Sequence, residues 1–148
     1  MDFWEVAARE EIRETLARYN NFGDSGRFDE MAALFDVDGV LEVEGEPALQ
    51  GRAAIIEFLN GVKRDVVALS NVPMLRHYAT NVMITVTSPD EATAASSFLV
   101  LAESGLDHWG RYRDRLIPEG DGWRFAHRFV RTDGYAPDGW AIRRQSSI

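Results

Sequence analysis

LRHYATNVMITVTSPDEATAASSFLVLAESGLDHWGRYRDRLIPEGDGWRFAHRFVR, from Leu75 to Arg131, carries a hydrophobic period unlike that of the chain before it. Apolar and polar residues alternate there in runs at roughly 75–87, 92–102, 109–117 and 123–131. Turn-forming Ser88-Pro89-Asp90, Ser104-Gly105 and Glu119-Gly120-Asp121-Gly122 separate the runs. The pattern predicts strands in hairpin succession. Because side chains alternate across a strand, Tyr112, Asp114 and Leu116 share one face and Arg111, Arg113 and Arg115 the other. Trp123, Phe125, His127, Phe129 and Arg131 likewise form one aromatic-rich face, suited either to lining a ligand cavity or to packing against a helix or a second subunit.

Upstream the period is helical. Trp4, Ala8, Ile12, Leu16 and Tyr19 make a buried stripe, with Arg9, Glu10, Arg13, Glu14 and Arg18 between them. Gly23 and Gly26 bracket a turn at Asp24-Ser25, and Phe28, Met31, Ala32, Leu34 and Phe35 predict a short second helix, completing a helical hairpin. Val40 to Glu44 reads as a half-buried strand ended by Gly45-Glu46-Pro47, and Arg52 to Leu59 as a third helix with Ile55, Ile56, Phe58 and Leu59 inward. Helices followed by a meander predict an α+β domain, its helices covering one face of a curved antiparallel sheet. One domain spans 1–148, with a core at about 4–134; the tail from 135, with Pro137, Gly139 and Trp140, lies over the domain or against a second subunit and frays at Gln145-Ser146-Ser147-Ile148.

Composition narrows the chemistry. The 148 residues are 45% hydrophobic and 27% charged, enough for a core without cross-links. Zero cysteines exclude disulfides, thiolate nucleophiles and thiolate metal sites. A net charge of −8 repels phosphate backbones and anionic lipid, so neither nucleic acid nor a membrane is an expected partner. The start, Met1-Asp2-Phe3-Trp4-Glu5, does not read as a secretory signal, which makes the cytoplasm the expected location. No His-x-His or His-x-x-x-His pair suggests a metal, and no cofactor is expected.

Several strings resemble the SnoaL-like group of the nuclear-transport-factor-2-like (NTF2-like) superfamily: Leu16-Ala17-Arg18-Tyr19, Asp24-Ser25-Gly26-Arg27-Phe28-Asp29, Met31-Ala32-Ala33-Leu34-Phe35, Gly51-Arg52, Arg76-His77-Tyr78-Ala79-Thr80-Asn81, Gly110 to Leu116, and Asp121 to Phe125. The resemblance covers nearly the whole chain. It implies a cone, a strongly bent sheet with three helices closing a pocket, and a homodimer or homotrimer. By similarity to lyases of the scytalone dehydratase and hexachlorocyclohexane dehydrochlorinase kind, Asp24 would orient His77 as a general base acting on a small apolar cyclic or aromatic compound. Imidazole suits the task because it titrates near neutrality and a carboxylate on its far nitrogen fixes the tautomer.

From the residues alone, Asp24 reads equally well as a helix cap and His77 as a hydrogen-bonded core residue sharing its face with Ala79, Asn81 and Met83. The second histidine of a scytalone dehydratase site has no counterpart on the next strand, where Phe98 to Ala102 stand, and Gly23 replaces the tyrosine before the turn. Tyr19 and Asp114 resemble the oxyanion-binding tyrosine and protonated aspartic acid of ketosteroid isomerase, a worked example of a carboxyl kept neutral by an apolar site. That enzyme's base position falls on Val43, and Asp114 is alternatively a partner of Arg113 or Arg115. Asn81 and Tyr112 are expected to give polar support to a ligand, and Phe22, Phe35, Phe125, His127 and Phe129 to line the pocket. His108 is expected to be exposed or at a pocket rim. A dehydratase-like lyase, an isomerase and a polyketide cyclase are open within the enzyme class; a ligand-binding module or an aromatic-ring-hydroxylating oxygenase small subunit lies outside it.

Overall fold

The structure is a computed structural model that describes residues 1–146, so Ser147 and Ile148 of the expected fray lie outside the described residues. Gln145 and Ser146 belong to a last helix. The elements run α1 (Phe3–Asp24), α2 (Phe28–Ala32), β1 (Phe35–Val43), β2 (Leu49–Gln50), α3 (Arg52–Leu69), β3 (Arg76–Ser88), β4 (Glu91–Ala102), β5 (Gly105–Glu119), β6 (Gly122–Tyr135) and α4 (Trp140–Ser146). The strands form one curved, unclosed sheet in the order β2-β1-β6-β5-β4-β3. The meander from β3 to β6 is antiparallel as expected, whereas β1 joins β6 in parallel.

At the start of α1 the Glu5 carboxylate accepts the Asp2 N–H at 3.2 Å, satisfying an otherwise orphaned donor. Ala8, Ile12, Leu16 and Tyr19 are buried as the stripe predicts. Trp4 is 42% exposed, because it lies a turn ahead of Ala8, where full burial begins. Two bonds fasten the helix to the sheet: Arg9 Nη1 donates to the Ile84 carbonyl, and Thr15 Oγ1 to that of Trp123 at 2.8 Å.

The second helix is shorter than its apolar residues suggest. The Phe125 N–H bonds the Leu34 carbonyl at 2.8 Å, pulling the chain into the sheet, so that Phe35 opens β1 opposite Phe125 instead of closing a helix. The third is longer. Its stripe of Ile55 and Leu59 continues through Val62 and Val66, past Gly61, to Leu69.

Two bulges reset which side chains face inward. In β6, Phe125 pairs with Leu116 and His127 with Arg115, leaving Ala126 as an extra residue. Trp123 and Phe125 before it are buried, but beyond it the buried position is Arg128. In β3 the register shifts between Thr80 and Met83, and Asn81 sits there at φ 54°, a left-handed conformation that asparagine tolerates. His77 therefore points inward before the bulge, while Val82 and Ile84 do so after it. The core between α1, α3 and the sheet centres on the fully buried Ile12, Phe35, Leu41, Ile55, Leu116 and Phe125. Each such side chain contributes about 1.5–3 kcal/mol by leaving water.

Candidate active site

The helices do not fill the concave side of the sheet. They leave a cavity of about 830 Å³, with buried Tyr19, Asn20, Leu41, Phe98 and Tyr112 on its floor, Phe58, Leu59 and Val66 from α3, and Trp140 and Ala141 from α4. Exposed Ser25, Gly26, Glu44, Glu46 and Lys63 border it. The wall is largely apolar, the usual character of a small-molecule site.

Asp24 and His77 meet on this wall. Asp24 is the last residue of α1, and α2 has Arg27 at its N-cap, so Asp24 does not cap the second helix. A carboxylate beside the carbonyl end of a helix is unfavourable unless donors meet it. Here His77 supplies two: Oδ1 lies 2.6 Å from Nδ1, and Oδ2 accepts the His77 backbone N–H at 3.0 Å. The paired contact fixes both ring and backbone. The His77 and Asp24 side chains are 26% and 13% exposed, open to a ligand yet shielded from bulk water.

A second pair, not anticipated as such, stands opposite. His108 Nδ1 lies 2.8 Å from Oδ2 of Asp107, and its ring centroid is 6.5 Å from that of His77. Its side chain is 12% exposed and that of Asp107 is sealed, so His108 is a wall residue and no loop histidine. Burial pulls its pKa below the ordinary 6.5 despite the Asp107 carboxylate, and the His77 charge lowers it further. The alternation suggests a strand starting near 109, yet β5 starts at Gly105. Register then sets His108 opposite Val100, itself opposite His77. Asp107 also accepts the N–H groups of Trp140 at 2.7 Å and Ala141 at 3.3 Å, seating α4 on the cavity. The approach requires glycine at 139, where a Cβ would stand 2.6 Å from Asp107 Oδ1.

Of the other expected site residues, Tyr19 and Tyr112 line the cavity. The Tyr112 hydroxyl donates to Asn20 Oδ1 at 3.3 Å, and burial pushes both phenols above their ordinary pKa. Asp114 departs from expectation. Its two oxygens accept from Nε and Nη2 of Arg128 at 2.7 and 2.9 Å, in place of Arg113 or Arg115, and the carboxylate is sealed away from the cavity. That is the geometry of an acceptor, unlike the protonated donor of the isomerase. Sequence reading overlooked Arg128 because the Ala126 bulge turns it inward. Its guanidinium lies 3.8 Å from the Tyr112 ring centroid, 4.2 Å from that of Tyr19 and 4.4 Å from that of Phe125. Burial opposes the charge, but Asp114 outweighs it and holds Arg128 above its usual range.

The expected lining residues lie elsewhere. Phe35 and Phe125 are sealed in the core, and Phe22 packs at its edge under Arg27, 4.7 Å from its ring centroid. His127 and Phe129 are turned by the bulge to the outer face of the sheet, where His127 Nε2 is 2.9 Å from Oε2 of Glu42. Asn81 is exposed at the β3 bulge, off the cavity. The aromatic lining comes instead from Phe28, Phe58, Phe98, Tyr135 and Trp140 beside the two tyrosines.

Comparison with known proteins agrees with this architecture. The SnoaL-like domain profile matches residues 4–129. An NTF2-like protein with a cystatin-like fold from Novosphingobium aromaticivorans is 28% identical, with a TM-score of 0.76 over 93% of this chain and 89% of that one. A single-residue variant of Rv3472, a protein of unknown function from Mycobacterium tuberculosis, is 27% identical, with a TM-score of 0.75 over 90% of this chain and 76% of that one. A Catenulispora acidiphila structure in complex with S-DNPA is 25% identical, with a TM-score of 0.70 over 97% and 99%. The curated proteins contain no match.

Proposed function

The chain belongs to the SnoaL-like domain family, and from that premise we propose that its cavity is the active site of a cofactor-independent acid–base enzyme, with His77 as the base and Asp24 as its orienting partner. The reaction is a dehydratase-like elimination, an isomerisation or a cyclisation on a small, largely apolar cyclic or aromatic molecule. The observation that carries this reading is the double contact of one Asp24 carboxylate with the ring and backbone of His77 on the cavity wall.

With Nδ1–H donated to Asp24, Nε2 holds the free lone pair and takes a proton from a carbon next to a carbonyl or a leaving group. The C–H electron pair forms the new double bond as the leaving group departs, a hydroxide taking its proton back from the imidazolium. In an isomerisation the pair is held as an enolate and reprotonated at another carbon. Asp24 stabilises the imidazolium throughout. The protonated hydroxyl of Tyr19 is placed to donate to oxygen on the ligand, with Tyr112 already committed to Asn20.

The test is proton exchange into deuterated water at acidic C–H positions of cyclic ketones and β-hydroxy ketones, followed by NMR. His77→Ala and Asp24→Asn are expected to stay folded and to slow the exchange by about 10²–10⁴-fold. Unchanged rates in both variants overturn the reading. A binding role without turnover is the second reading, favoured by the structural neighbour solved with S-DNPA, and it predicts ligand binding with no exchange in any variant. No helix among the described residues is long and apolar enough to cross a membrane. We place the protein in the cytoplasm as a homodimer or homotrimer.

A further inference from the structure

His108 is held in the same manner as His77. Each ring gives Nδ1 to a carboxylate, and neither Nε2 has another hydrogen-bond partner among the described residues. Nε2 of His108 is not one of the sealed polar atoms, and its ring forms part of the cavity wall. Asp107, fully buried, keeps the ring in place from behind while its oxygens also hold the first turn of α4. With Asp107 taking the Nδ1–H, the neutral tautomer of His108 presents a lone pair at Nε2, as His77 does.

We propose that His108 is a second ligand-contacting group and that the cavity takes an apolar-bodied molecule bearing a hydrogen-bond donor for Nε2 of His108 besides the C–H it presents to Nε2 of His77; in a probe without an acidic C–H a second donor takes the His77 position. This rests on the reading of the cavity as a ligand site and narrows its substrate class. Such an acceptor on a largely apolar wall selects for this molecule because a ligand without the donor leaves Nε2 of His108 desolvated and unpaired. Asp107 is the positioning residue. It keeps Nε2 an acceptor, and its hold on α4 keeps Trp140 over the same space.

The experiment uses a naphthol and the set of dihydroxynaphthalene isomers as probes, with binding followed by calorimetry. In the wild type the best-fitting diol is expected to bind about tenfold or more tighter than the naphthol. His108→Phe is expected to abolish that gain, bringing the best diol to within about threefold of the naphthol in the same variant. His108→Gln is the second variant should the bulkier ring unfold the protein, circular dichroism reporting the fold. On the wild type, the ¹⁵N shift of His108 Nε2 should move with the diol and not with naphthalene. Equal affinity for naphthol and every diol, a gain that survives both variants, a static Nε2 shift, or no binding by any isomer overturns the proposal. None of these readouts requires turnover. A cavity that selects diols but exchanges no protons refutes His77 as the base and leaves His108 in place; proton exchange with no diol selection does the reverse.

Discussion

Arg128 is the buried charge around which the floor of the cavity is organised, and its cost is met locally. Asp114 supplies the countercharge and three aromatic rings face the guanidinium. Nη1 nevertheless has no hydrogen-bond partner among the described residues. Arg128→Met strands the Asp114 carboxylate and is expected to lower stability by about 3–5 kcal/mol in urea unfolding, while Asp114→Leu combined with Arg128→Met recovers most of that loss. His108 makes a pH-dependent contribution whose sign follows from its depressed pKa. Above the ordinary 6.5 both folded and unfolded forms are neutral and nothing is lost. As pH falls through 6.5 the unfolded chain takes the proton first, so native stability declines until the folded imidazole titrates as well. Relative to His108→Gln, the wild type should therefore lose stability as the pH falls through 6.5, read from denaturation midpoints. An unchanged difference between the two proteins would contradict the burial of a neutral imidazole.

Among the elements, β6 and α4 do most to shape the site. One extra residue, Ala126, inverts the remainder of β6 and brings Arg128 in while sending His127 out. Deleting Ala126 removes the extra residue and leaves His127 outward and Arg128 inward by plain alternation from Phe125, so the variant is expected to keep the buried Arg128–Asp114 pair and a native-like near-UV circular dichroism spectrum. The short α4 is anchored through Asp107 at its start and through Arg144, whose Nε donates to Oδ2 of Asp65 on α3 at 2.6 Å. Trp140 is buried against Val66. Trp140→Ala should cost about 3 kcal/mol and lower Tm by about 10 °C, with a loss of ligand affinity in the same variant because the ring forms part of the wall.

For the whole molecule, the curved sheet has two unlike faces. The concave one holds the cavity beneath the helices; the outer one carries Met83, 70% exposed, beside Val40, Phe129 and the Arg113–Arg115 strand face. An apolar side chain that open is consistent with the proposed homodimer or homotrimer forming across the sheet. Native mass by light scattering checks it: the wild type should run as an oligomer and Met83→Glu as a monomer, and a monomeric wild type would end the idea.

Much of this architecture was legible because it rests on local period. The stripe of α1, the strands of the meander, the turns between them and the inward face of Tyr112, Asp114 and Leu116 follow from spacings of four and two, which each segment expresses by itself. Family resemblance supplied the pairing of Asp24 with His77, since nothing local relates a helix end to a strand fifty-three residues away. What tertiary structure alone decided are the places where register breaks. A bulge of one residue exchanges the two faces of a strand, so Arg128 became the buried charge and His127, Phe129 and Asn81 left the cavity. Pairing of β5 with β4 set His108 across from His77, and the fold of the tail over Asp107 made an aspartate–histidine dipeptide into a second wall contact. Sequence determines which residues prefer to be inside a given element; which inside they share is settled when the elements meet.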